Sequence, residues 1–157
     1  MVDNNLDTWY NSDHSCRLNN CVLWVQLDMR DVKIVRKVNI FSRNSGTYTL
    51  SNMKAMVGRF KIDNKKSQRD QEFQLSNVPV CGKWPGKSKI GELVQIVCST
   101  PLTGSVVIIQ TLDVVDSQMN IAEVKIYGKG KINNVKIKSK DKILNQFQIL
   151  YINYNIN

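Results

Sequence analysis

The 157-residue sequence contains a single histidine, His14, and only three glutamates, Glu72, Glu92 and Glu123. A Ser-His-Asp or Cys-His relay would have to use an imidazole lying in a polar N-terminal stretch, and no spacing suggests a working carboxylate pair, so the chain is read as a non-enzyme. The four cysteines include no CxxC, and with one histidine they make a poor tetrahedral zinc set; disulfides are the better reading. No apolar run approaches the roughly 18 residues that a membrane span requires. The N-terminus, Met1-Val2-Asp3-Asn4-Asn5, has neither the charged nor the apolar region of a signal peptide, whereas disulfides imply an oxidising compartment. The two are reconciled by the expectation that Met1 is a cut point inside a longer secreted or ectodomain chain. Helical periodicity hardly occurs before residue 128.

An apolar share of 42% and a charged share of 22% are ordinary for a globular domain, and the length suits one domain plus a tail. The net charge of +9 is unevenly placed: from Lys125 onward seven lysines face one acid, Asp141, so residues 1 to 124 carry only +3. A lysine-rich tail could attract nucleic acid or anionic surfaces, but its aromatics, Phe147, Tyr151 and Tyr154, follow the lysines instead of interleaving with them, which disfavours nucleic acid as a partner. Residues 143 to 151 fit helical and strand spacing equally well.

Before the tail, short apolar segments alternate with turn signals. Strands are expected over Leu23 to Met29, Lys33 to Phe41, Met53 to Ile62, Glu92 to Cys98, Val106 to Leu112 and Met119 to Tyr127. Ile34, Val38 and Ile40 should share one face, opposite Lys33, Lys37 and Asn39; Ala122, Val124 and Ile126 should share another. Val106 to Leu112, apolar on both faces except at Gln110, reads as a central strand. A turn is expected at Arg43-Asn44-Ser45-Gly46, a charged loop over 63 to 70, and a change of chain direction over Cys81 to Pro85. Short strands in succession, separated by turn signals, argue for an all-β, antiparallel β-sandwich.

The first loop is rich in oxygen: Asp3, Asn5, Asp7, Asn11, Ser12, Asp13 and Ser15, with Trp9 and Tyr10 among them. It opens like a helix-loop-helix calcium site, but Thr8 and His14 stand where that motif needs Gly and Glu. Two readings remain, a solvated Asx-rich turn and a hard cation shared with a distant segment.

Val2 to Tyr10, Ser15-Cys16 and Trp24-Val25-Gln26-Leu27-Asp28 together resemble the start of discoidin-like, galactose-binding-like jelly-roll domains. With Val38 to Arg43, Val57-Gly58, Cys81, Cys98 to Gly104 and the closing Met119 to Gly128, the succession resembles an F-type lectin (fucolectin) domain. The resemblance covers residues 1–128, with the family's first strand expected to precede Met1, and leaves 129–157 as a basic Lys/Asn/Ile-rich tail. It implies a structural Ca²⁺ held by Asp3, Asn5, Ser15, the Ala122 carbonyl and the Glu123 carboxylate, closing the first loop onto the last strand. One further family ligand position lies before Met1.

The family's fucose site uses one histidine and two arginines. Arg43 matches the first arginine; Leu18 occupies the histidine position, and the second arginine position falls near Thr49. The resemblance also implies a Cys81–Cys98 disulfide. Ala122 stands at the family partner position of Cys16, which leaves Cys16 to pair with Cys21. The implied function is a calcium-stabilised, extracellular or secreted carbohydrate-binding module for fucose-type glycans, with an incomplete sugar triad, acting in cell recognition. The alternative is a degenerate relative that binds a protein ligand as an adhesion or interaction domain of a larger receptor.

Overall fold

The computed structural model describes residues 23–42, 50–63, 65–112, 119–129, 135–136 and 151–152. Among these, five antiparallel strands form one continuous sheet in the order β3-β2-β4-β1-β5, where β1 is Trp24–Ser42, β2 Ser51–Gly58, β3 Val80–Lys87, β4 Leu93–Thr111 and β5 Ile121–Lys129. One helix, α1, spans Gln68–Ser76. Two short strands, β6 (Val135–Lys136) and β7 (Tyr151–Ile152), pair with each other, and β7 lies against β5.

The sheet doubles over because its two longest strands are bent in register. Met29 to Val32 of β1 stand opposite Ser105 alone, with Arg30 at φ 64° and its N–H donating to Asp28 Oδ1 at 2.7 Å. Further on, Cys98 to Pro101 of β4 stand opposite Arg36 alone. Such irregularities bend a ladder and increase its twist, and Pro101, which has no N–H to give, sits where no ladder bond is required. The β1–β4 ribbon therefore crosses between two layers. The first contains β3, β2, residues 106–111 of β4 and the start of β1; the second contains residues 93–97 of β4, the end of β1 and β5.

One core joins the two layers. Val25, Leu27, Met53, Ala55, Val57, Val107 and Ile109 from the first meet Val38, Ile40, Val94, Ile96, Val124 and Ile126 from the second. The Cys81–Cys98 disulfide, with a Cα–Cα distance of 4.1 Å, ties β3 to the start of the β4 bend. By the chain-entropy argument a loop of this length contributes about 3 kcal/mol. A smaller cluster of Met56, Ile62, Leu75, Val106 and Ile108 lies on the outer face of the first layer, and α1 supplies Leu75. Val106 to Ile109 are thus buried on both faces, as the apolar run in that segment requires.

Three expectations are corrected. Lys33 is 6% exposed and Ile34 37%, the reverse of the expected assignment, because Arg36 is an extra residue that shifts the phase and puts Val35, Val38 and Ile40 in the core. Cys81 to Pro85 belong to strand β3 instead of forming a turn. Part of the charged loop belongs to α1, whose N-cap Ser67 accepts from the Asp70 N–H and donates its own hydroxyl to Asp70 at 2.7 Å. Ser-x-x-Asp ahead of a helix is a legible start signal; with Leu75 the one fully buried apolar residue of α1, the helical period that should confirm it is weak.

Residues 59 to 63 are fastened to the outer sheet face by polar groups. Gln26 donates to the Ile62 carbonyl at 3.2 Å and accepts from the Ile62 N–H at 2.9 Å, while Lys61 pairs with Asp28 at 2.7 Å. Burial alone would raise the Asp28 pKa, but Lys61 and the Arg30 N–H outweigh it and hold the carboxyl below its ordinary 3.8. A depressed folded-state value means that this contribution is complete above the unfolded pKa and lost as pH falls through the folded one. Asp28→Asn is expected to remove less than about 1 kcal/mol at neutral pH and to flatten the stability curve below about pH 4. Urea unfolding at neutral and acid pH checks this; parallel acid limbs for both proteins would refute it.

Candidate functional site

Chain connectivity brings four connections to one end of the sandwich. The segment before Leu23, the segment from Ser42 to Leu50, the 88–92 turn and the segment from Leu112 to Ile121 all join strand ends there. The 88–92 turn is the fixed point. Gly91, at φ 71°, occupies the third position of a turn closed by Glu92 N–H donating to the Lys89 carbonyl at 3.2 Å, a conformation that favours glycine.

This turn holds both stems of the 43–49 segment. On one side the Ser42 hydroxyl donates to the Lys89 carbonyl at 2.8 Å and the Ser42 N–H to the Glu92 carbonyl at 3.0 Å. On the other, Leu50 N–H donates to Ser88 Oγ at 2.9 Å and Ser88 N–H returns to the Leu50 carbonyl at 2.8 Å. Arg43 itself lies outside the described residues, yet the residue before it is buried and doubly bonded. Ser88 carries no motif and Ser42 is only one member of the Val38 to Arg43 succession, so their role follows only from the approach of the two connections. Beside them, Thr111 N–H donates to the Leu23 carbonyl at 3.0 Å and Leu112 N–H to the Asn52 carbonyl at 2.6 Å, securing the other two connections.

The start of β5 presents unusual oxygens at the same end. Ile121 pairs with Ser42 and Glu123 with Phe41, which leaves Ala122 as an extra residue without a register partner. The expected shared face of Ala122, Val124 and Ile126 is corrected accordingly: Ile121, Val124 and Ile126 are buried and Ala122 is half-buried. A bulge of this kind takes a residue's backbone groups out of the ladder and re-aims them. Glu123 Oε2 lies 3.1 Å from Lys125 Nζ, but its Oε1 is buried with no hydrogen-bond partner among the described residues, as is Asn120 Oδ1. A buried acceptor left unmatched costs about 1–3 kcal/mol, more when charged. These oxygens are of the hard type that Ca²⁺ accepts. Among the described residues no group of three His, Cys, Asp or Glu could hold a metal ion. Asp3, Asn5 and Ser15 lie outside them, as do Cys16 and Cys21.

No protein-family model matches the sequence, and a search of curated proteins finds no relative. Solved structures do share the fold. The F-type lectin (fucolectin) from striped bass serum, Morone saxatilis, superposes with a TM-score of 0.59 at 14% identity, over 80% of this chain and 39% of that one. The family 32 CBM of C. perfringens NanJ, solved with galactose, gives 0.54 at 12% identity, over 78% of each chain. The lectin domain of lectinolysin, solved with Lewis B antigen, gives 0.53 at 17% identity, over 82% of each chain. The chain therefore has the antiparallel jelly-roll sandwich fold that these domains have, as expected from the sequence.

Proposed function

We propose that this chain is a carbohydrate-recognition module of the F-type lectin kind, stabilised by Ca²⁺ and working outside the cell, which binds fucosylated or related glycans through the loops at the Ser42 end of the sandwich. The observation that carries this reading is the fastening of both 43–49 stems to the 88–92 turn, which fixes the root of Arg43. A rigid scaffold presenting loops at one end is the usual arrangement for reading a ligand. The neighbours solved with galactose and Lewis B antigen are sugar-bound domains of this fold, which supports a saccharide ligand. The Cys81–Cys98 disulfide supports an oxidising compartment. The orphaned Glu123 oxygen and the Ala122 bulge support calcium; Asp3, Asn5 and Ser15 would complete the ligand set, and the cation would hold the first loop to β5.

A glycan array probed with and without chelator tests the proposal. Binding to fucosylated glycans should be reduced by chelation, and Arg43→Ala should weaken it about tenfold or more, as expected when a donor to a sugar hydroxyl is lost. Absence of binding to any glycan by folded protein would refute the lectin reading. The alternative is a relative that kept the jelly roll and binds a protein ligand. Leu18 and Thr49 at the positions of the family's histidine and second arginine favour it, and it requires that Arg43→Ala leave partner binding intact.

A further inference from the structure

On the outer face of the first layer, four side chains follow one another across the strands: Trp24 of β1 opposite Gln110 of β4, Gln110 opposite Lys54 of β2, and Lys54 opposite Lys83 of β3. They share that face because their sequence neighbours Val25, Ile109, Met53 and Ala55 point into the main core. Directly opposed residues in an antiparallel ladder bring their Cβ atoms to about 5 Å, and like charges at that spacing repel. No acid among the described residues pairs with Lys54 or Lys83. Burial in the first place, and Lys83 in the second, hold the Lys54 pKa below its ordinary 10.5.

The two remaining members of the row suit a sugar more than a bare ion. Gln110 is only 7% exposed, and its Oε1 is buried without a hydrogen-bond partner among the described residues. A sheet gains nothing from an amide acceptor left in that state between an indole and an ammonium. Trp24 is half-buried and packs against the Met56–Ile108 cluster, which fixes its indole at the end of the row. The row thus offers two unopposed cations, an unused acceptor and an anchored aromatic ring.

We infer that this row is a binding site for an acidic saccharide, with a sulfate or carboxylate between Lys54 and Lys83, a ring hydroxyl donating to Gln110 Oε1, and the sugar ring against Trp24. The flexible Lys54 stem turns toward the anion and opens the approach to Gln110. The anion relieves the lysine repulsion, which explains why the fold keeps two like charges face to face. This row lies just inside the strand ends that root the loops, and it shares no residue with the 88–92 turn or the stems of the Arg43 segment.

Isothermal titration of the full chain with a sulfated disaccharide, a uronic-acid disaccharide carrying carboxylate alone, and a neutral disaccharide tests the inference. The unmodified chain should bind at least one acidic probe more tightly than the neutral one, and the arm that binds names the anion. Lys54→Gln/Lys83→Gln should lower that affinity about tenfold or more while raising the melting temperature. Lys136→Gln/Lys138→Gln, which removes the same charge from the tail, should change it less than about threefold. Gln110→Leu keeps the charge and should cost about fivefold. The inference is overturned if no acidic probe binds, if the tail pair matters as much as the Lys54–Lys83 pair, or if Gln110→Leu leaves the affinity unchanged.

Discussion

Gly82→Ala is expected to lower the melting temperature by about 6–12 °C, while Gly58→Ala leaves it unchanged or raises it slightly. A Cβ on Gly82 would lie 2.5 Å from the Val97 carbonyl oxygen and 2.9 Å from Ile96 Cγ2. The first of these is backbone in the second layer and cannot swing aside. Overpacking of this kind costs about 3 kcal/mol, and for a domain of this size each kcal/mol corresponds to about 2–4 °C. At Gly58 the nearest atoms, Val78 Cγ1 at 3.4 Å and the Phe60 carbonyl oxygen at 3.5 Å, leave room for a methyl group. There the reduced freedom of the unfolded chain contributes about 0.4–1 kcal/mol in favour of alanine. Differential scanning calorimetry of the two variants checks the pair of outcomes. Equal melting temperatures would mean that β3 and β4 are farther apart at this point than the structure has them. The same close approach lets Cys81 and Cys98 join, so Gly82→Ala and Cys81→Ala/Cys98→Ala should be non-additive, each disturbing what the other needs.

The second large effect concerns the proposed cation. If Ca²⁺ binds the native chain and not the unfolded one, saturation at a hundred times the dissociation constant adds about 2.7 kcal/mol, or about 5–11 °C. EDTA is expected to lower the melting temperature by that amount and excess calcium to restore it. Glu123→Gln should remove most of the response, because it takes away the charge on the buried oxygen that has no partner. Arg43→Ala, which belongs to the sugar site in the same proposal, should keep it. A melting temperature indifferent to chelator in the unmodified chain would refute the calcium half of the proposal and leave the glycan half to be judged on the array.

Much of the sandwich is legible in single segments because strand alternation is local. Val94, Ile96 and Cys98 are in phase and all buried, and the doubly apolar run after Val106 is central, with one core on each face. Two of the errors, those of side-chain facing, fall where an extra residue on one strand meets a partner far away in sequence. Arg36 reverses the faces of Lys33 and Ile34, and Ala122 leaves the face of Val124 and Ile126. Period-two reasoning assumes an unbroken ladder, and a bulge is set by what lies opposite. Helix α1 escaped for a different reason: its Ser67–Asp70 start signal is local, but the helix buries too little apolar surface to show a period.

The sequence alone determined the all-β class, because apolar residues alternate and turn residues separate them. It also marked the oxygen-rich first loop, the concentration of charge in the tail and the thin inventory of catalytic groups, all of which are matters of composition and order. The tertiary structure decided how the sheet folds over itself, since the bends in β1 and β4 exist only as a mismatch between the two strands. It likewise decided that the 88–92 turn grips both stems of the Arg43 segment, and that Trp24, Gln110, Lys54 and Lys83 form one row. Those four residues come from four separate stretches of chain, and only the register of a folded sheet sets them side by side.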